Sequence, residues 1–249
     1  MAKPLMSTHV LPGNPPVEVM IHHSARAKRY ALRVSRMDGR VSLSLPAWAS
    51  KDAAIEFLHT REAWLRKHLR QTPKAQIAHI GAKLPIHGVL YPILAGSGRA
   101  ATFEDGKITV PNGPRQGSRI KALLITMARA RLAAAVDTHS TILGRTVGRM
   151  TLRDTRSRWG SCSAKGDLMF SWRLIMAPHG VLDYVAAHEV AHLVEMNHSQ
   201  RFWALCGQLC PKHRQHRDWL KHHGATLLAW HFDDAKDGSS VDTPTYQNE

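Results

Sequence analysis

The densest chemistry in the chain lies in His188-Glu189-Val190-Ala191-His192, followed closely by Glu195 and His198. Two histidines four apart on an α-helix stand about 40° apart around its axis, so both imidazoles can project to one side and ligate one zinc. Glu189 is rotated by about 100° from His188, which sets its carboxylate beside such a metal, where it can accept a proton from a bound water. Catalytic zinc also needs a third protein ligand and one open position. Glu195, seven residues after His188, meets that need if the helix continues. His198, six after His192, meets it if the helix stops and the chain turns back. Met196-Asn197-His198-Ser199 favours the turn, because Asn accepts a left-handed C-cap and Ser can start a new helix. His198 is therefore the preferred third ligand, with Glu195 as a supporting or solvent-facing carboxylate. The ligand types suit one Zn²⁺ per chain, although three histidines also accept other divalent metals.

Residues around this motif have plainer readings beside the chemical ones. Tyr184, four before His188, can orient substrate or stabilise an oxyanion, but packing is the simpler expectation. Arg158 can bind a substrate carbonyl or carboxylate, or be a surface arginine. Cys206, Cys210, His213 and His216 superficially resemble a second, structural zinc site. The two cysteines equally fit a buried i,i+4 pair, with Pro211 intervening, and that reading is preferred. Cys162 next to Ser161 lacks the partner that a thiol nucleophile requires.

The elements that must position the motif are legible in part. A helix is expected from Pro178 to about Glu195, with Leu182, Ala186, Val190, Leu193 and Val194 facing a core opposite the metal side. Ser199 caps a further helix through Leu209, and Pro211 breaks it. Strands are expected at 150–152 and 167–172, joined by the polar 156–163 segment and a turn at Lys165-Gly166. An Ala/Leu/Arg-rich helix over 118–143 ends at Gly144, and its Ile120, Leu123, Leu124, Met127 and Leu132 form a packing stripe. Upstream, alternation predicts strands at 17–21, 30–34 and 41–45, with a hairpin at Asp38-Gly39. Ser50 begins a helix running to Arg70, and glycine-punctuated strand pieces follow from 77 to 110. The expected division is an N-terminal extension 1–16, a β-rich region 17–114, a catalytic domain 115–232 and an acidic tail 233–249 read as disordered.

Composition narrows the class. The 249 residues are 43% hydrophobic and 21% charged, which excludes collagen-like, low-complexity and wholly disordered chains. The most apolar stretch, 120–136, contains Lys121, Arg129 and Arg131, so no membrane span is expected. Residues 1–13 have no continuous apolar run for a signal peptide, and three cysteines cannot form a disulfide framework, so a cytoplasmic setting is the simplest expectation. The formal charge is +15, with −4 over residues 231–249 and +19 over the rest. Such a body can attract nucleic acid, anionic lipid or acidic substrates, although no basic block stands out.

The string from Arg156-Ser157-Arg158-Trp159-Gly160-Ser161-Cys162 through His188-Glu189-Val190-Ala191-His192 to Asn197-His198-Ser199, Phe202-Trp203 and Pro211 resembles the YgjP-like metallopeptidases, minimal zincins related to the SprT and WLM groups. The resemblance extends more loosely back to residue 17 and forward to 224. It implies an α+β, zincin-like catalytic domain with a β-rich N-terminal region, His188, His192 and His198 as zinc ligands, and Glu189 as the general base activating a zinc-bound water. It also implies a peptide or protein substrate, and places Trp159-Gly160-Ser161-Cys162 near a sheet whose edge strand pairs with that substrate. Lys212-His213 departs from the pattern expected after Pro211. The rival readings are a zinc amidohydrolase acting on other amides, and a basic nucleic-acid-associated protein acting on DNA-bound proteins.

Overall fold

Alternation of apolar and polar residues over 17–21 and 41–45 builds a sheet with one buried face. In the computed structural model, which describes residues 6–35, 39–70 and 72–233, this sheet comprises β1 (Met6–Leu11), β2 (Val17–Ser24), β3 (Ala31–Val34) and β4 (Val41–Pro46) in the order β1-β2-β4-β3. Val17, Val19, Ile21, Val41, Leu43 and Leu45 bury against Ala54 and Leu58 of α1 (Lys51–Thr60) and Leu65 of α2 (Glu62–Arg70). Two local expectations change. Within the N-terminal extension expected over 1–16, residues 6–11 form a strand paired antiparallel with β2, because Leu11 belongs to this core. The single helix expected over 50–70 breaks at Arg61, whose φ and ψ of −106° and 3° leave the helical region. Ser50 does cap it, its hydroxyl accepting from the Ala53 amide at 3.2 Å. The Asp38-Gly39 hairpin falls partly outside the described residues, as does the acidic tail from 234 onward.

The chain divides into two compact units after Ala75 rather than near 114. The second unit runs through β5 (Gln76–Ile77), β6 (Lys83–Ile86), β7 (Val89–Gly96), β8 (Thr102–Glu104), β9 (Lys107–Pro111), α3 (Gln116–Leu143), β10 (Met150–Arg153), β11 (Gly160–Cys162), β12 (Leu168–Ser171), a 3-10 turn (Trp172–Met176), α4 (His179–Ala191), α5 (Gln200–Leu209), α6 (His213–Leu228) and β13 (Trp230–His231). The strands before Asn112-Gly113-Pro114 belong to this unit because Leu84, Ile86, Ile93, Ile108 and Val110 share one core with Ile120, Leu124, Ala128 and Leu132 of α3. Pairing of β5 with β13 joins its beginning to its end. Gly144 closes α3 in the left-handed region at φ 59°, as its glycine predicts.

The site rests on α4, which packs against α3, α5, α6 and β11. Its apolar residues are buried almost all round, Val181, Val185 and Ala187 as well as Leu182, Ala186 and Val190. The helix is therefore not simply two-faced, and Val194, past its end, is exposed. Arg173 ties its approach in place: it donates to the Asp154 carboxylate at 2.6 and 3.3 Å and, through Nη1, to the carbonyls of Leu227 and Trp230 at 2.9 Å each. Arg173→Met is expected to cost about 2 kcal/mol, since two buried carbonyls lose their donor while Asp154 regains water. A lowered urea midpoint checks this; an unchanged one contradicts it.

Candidate metal centre

The third-ligand question is decided locally by where α4 stops. Regular helix ends at Ala191, His192 is the C-cap, and the amides of Leu193 and Val194 bond three residues back, to Val190 and Ala191. The helix does not reach Glu195. The reversal needs no left-handed Asn197, since among described residues only His87 and Asp105 are non-glycines at positive φ. Ser199 then caps α5, its hydroxyl accepting from the Phe202 amide at 3.3 Å. This turn returns His198 to α4 with its Nε2 3.0 Å from Nε2 of His188. One ring nitrogen from each of His188, His192 and His198 lies within 4.8 Å of the other two.

Neighbouring groups orient the rings. The Glu195 backbone carbonyl can only accept, so at 2.9 Å it requires the proton of His192 on Nδ1 and leaves the Nε2 lone pair for a metal. Tyr184 Oη lies 3.5 Å from Nδ1 of His188, whose Nε2 faces His198. Glu195 thus acts through its main chain, and Tyr184 sits buried behind a histidine. Phe202, fully buried, stacks on His192 at 4.5 Å and meets His188 and His198 edge-on at 4.8 Å each. Burial, reinforced by the other two histidines and Arg217, holds His188 down to about 3, so it stays neutral and able to donate its lone pair. Burial lowers His192 as well. Three imidazole nitrogens sharing one focus fit zinc.

Glu189 turns to another side of α4. Only 6% exposed, its carboxyl is pushed up to about 7 by burial, with the Arg158 charge pulling the other way. It lies against β11, the edge of a sheet ordered β10-β12-β11. Gly160 makes that approach feasible: a Cβ there would stand 2.6 Å from the Glu189 Oε1. Arg158, exposed at the mouth of this strand, is the charged side chain that bears on Glu189.

The alternative cysteine-histidine site does not assemble. Cys206 and Cys210 are buried with thiols pushed up by desolvation, His213 stacks on Trp203, and His216 lies over Gly180. Among the described residues only His188, His192 and His198 form a metal-competent group. The Cys162 thiol is raised by burial and by Glu189, the opposite of an activated nucleophile. Arg217 received no site role from sequence, and Gly160 and Phe202 entered only as part of the family resemblance. The Phe202-Trp203 pair following the Ser199 cap could have signalled the aromatic floor. Arg217 lies on α6, a segment with no predicted element.

A helix carrying this histidine pair, a third histidine from the following turn and a small sheet alongside make up a zincin-like α+β metallopeptidase domain. The chain belongs to the YgjP-like family: the family model described as "YgjP-like, metallopeptidase domain" matches residues 28–223. No curated protein and no solved structure matches it. Among the described residues no helix is long and apolar enough to cross a membrane.

Proposed function

We propose that the chain is a zinc-dependent peptidase, with His188, His192 and His198 as ligands and Glu189 as general base. The observation that carries this is the convergence of three imidazole nitrogens within 4.8 Å of one another, with the residue next to His188 on the same helix a buried carboxyl. When bound, zinc supplies Lewis acidity, polarising the scissile carbonyl and acidifying a water in its open position. Glu189 takes the proton of the attacking water and returns it to the leaving amine, a role suited to a carboxyl raised toward neutral pH. The edge of β11 offers main-chain groups to an extended peptide, which would hold the scissile bond over α4. Arg158, exposed two residues before β11, is assigned the binding of a substrate carbonyl. The bond to the Glu195 carbonyl keeps His192 in the ligating tautomer, while Tyr184 contacts His188 at Nδ1, away from the cluster.

The ligand assignment makes a direct comparison possible. His198→Ala is expected to lose most of its zinc, whereas Glu195→Ala keeps about one equivalent because only its backbone carbonyl is used. Elemental analysis of the two variants checks this, and the reverse order would exchange their roles.

A further inference from the structure

Beside the histidine cluster lies an open recess of about 460 Å³ lined by Gln200, Trp203 and Ala204 of α5 and His213, Arg214 and Arg217 of α6. It shares a wall with the centre. The Trp203 ring stacks with His198 at 5.7 Å and lies 5.8 Å from His188, and it also stacks with His213 at 6.0 Å. The Arg217 guanidinium sits over the same indole, 4.7 Å from its centroid. Among the described residues no carboxylate lines the recess. Neither Arg214 nor Arg217 forms an ion pair with another described residue. Arg214 and Arg217, three apart on α6, therefore present two unneutralised guanidinium groups with an imidazole and an amide around them.

We propose that this recess is a substrate subsite for a carboxylate close to the scissile bond, so that the enzyme prefers acidic peptides. The inference rests on the peptidase reading above. Planar guanidinium forks match a carboxylate bidentately, and Trp203 fixes the direction of one of them. A net charge of +15 acts in the same direction by drawing anionic substrates toward the surface. The carboxylate can come from an Asp or Glu side chain or from a peptide C-terminus, and both present the same two oxygens.

Zinc-loaded Glu189→Gln protein, titrated with fluorescent peptides that differ only in Glu against Gln at each position and in a free against an amidated C-terminus, tests the subsite without turnover. Acidic members are expected to bind about tenfold tighter, and the preference should fall to about unity in Arg214→Ala and Arg217→Ala backgrounds. Arg217→Lys should restore part of it, and unchanged thermal unfolding of Arg214→Ala guards against a folding artefact. A preference that follows the free C-terminus names one source of the carboxylate; one that follows Glu names the other. Equal binding of all members, or a preference that survives both arginine changes, overturns the proposal, as does a single-stranded oligonucleotide outcompeting the acidic peptides through these arginines. Parallel digestion by wild-type protein separates the readings: selective binding without any cleavage rejects the peptidase, while cleavage indifferent to charge rejects only the subsite.

Discussion

Glu189→Gln is expected to lower peptide hydrolysis by about a thousandfold or more while zinc content stays at the wild-type level. The amide matches the carboxylate in shape but cannot accept the proton of the attacking water, and among the described residues the histidine cluster contains no carboxylate that could substitute. Glu195, the nearest candidate in sequence, is engaged through its main chain. Folding should not suffer, because the site is buried and already disfavours charge, so a neutral amide is expected to leave the melting temperature unchanged or raised. Kinetics together with elemental analysis check both halves. Near-normal turnover would remove Glu189 from its role, and loss of metal would make it a ligand.

Gly160→Ala is the second large effect, and it tests the position of the same carboxyl without altering it. Gly160 has no positive φ, so alanine is acceptable to the backbone. The added methyl would stand 2.6 Å from Glu189 Oε1, 2.7 Å from its Cγ and 2.8 Å from its Cδ. The flexible glutamate side chain must move away, which costs little stability but displaces the proton acceptor. Displacement on the order of an ångström is expected to lower kcat about a hundredfold, with zinc content and melting temperature near wild type. Unaltered kcat would show that the carboxyl need not lie against β11. Loss of fold would place Gly160 in the packing instead.

Much of the centre was legible because its signals are local. The HExxH spacing, the Ser199 cap and the glycine after α3 each act within a turn or two of helix, and the structure follows them. The stop of α4 at Ala191 was only half legible: the turn forms, but without the left-handed Asn197. Helix α6 escaped because His, Lys and Arg outnumber Trp219, Leu220 and Leu227, so its apolar side is too thin to show as a period. With it went Arg217. The division after Ala75 was illegible for a different reason: Asn112-Gly113-Pro114 has the composition of a boundary, while the decisive fact is long-range burial of Ile108 and Val110 with α3. Strand β1 depends in the same way on a partner in β2 that its own residues do not announce.

The central claim is that His188, His192 and His198 hold a catalytic zinc, and metal content tests it most directly. Wild-type protein and His188→Ala, prepared without a polyhistidine tag and without added metal, would be compared by elemental analysis after their folds are matched by circular dichroism. The expected result is about one zinc per wild-type chain and almost none in the variant. A folded wild-type protein that takes up no metal even when zinc is supplied, or a His188→Ala protein that retains it, would contradict the account.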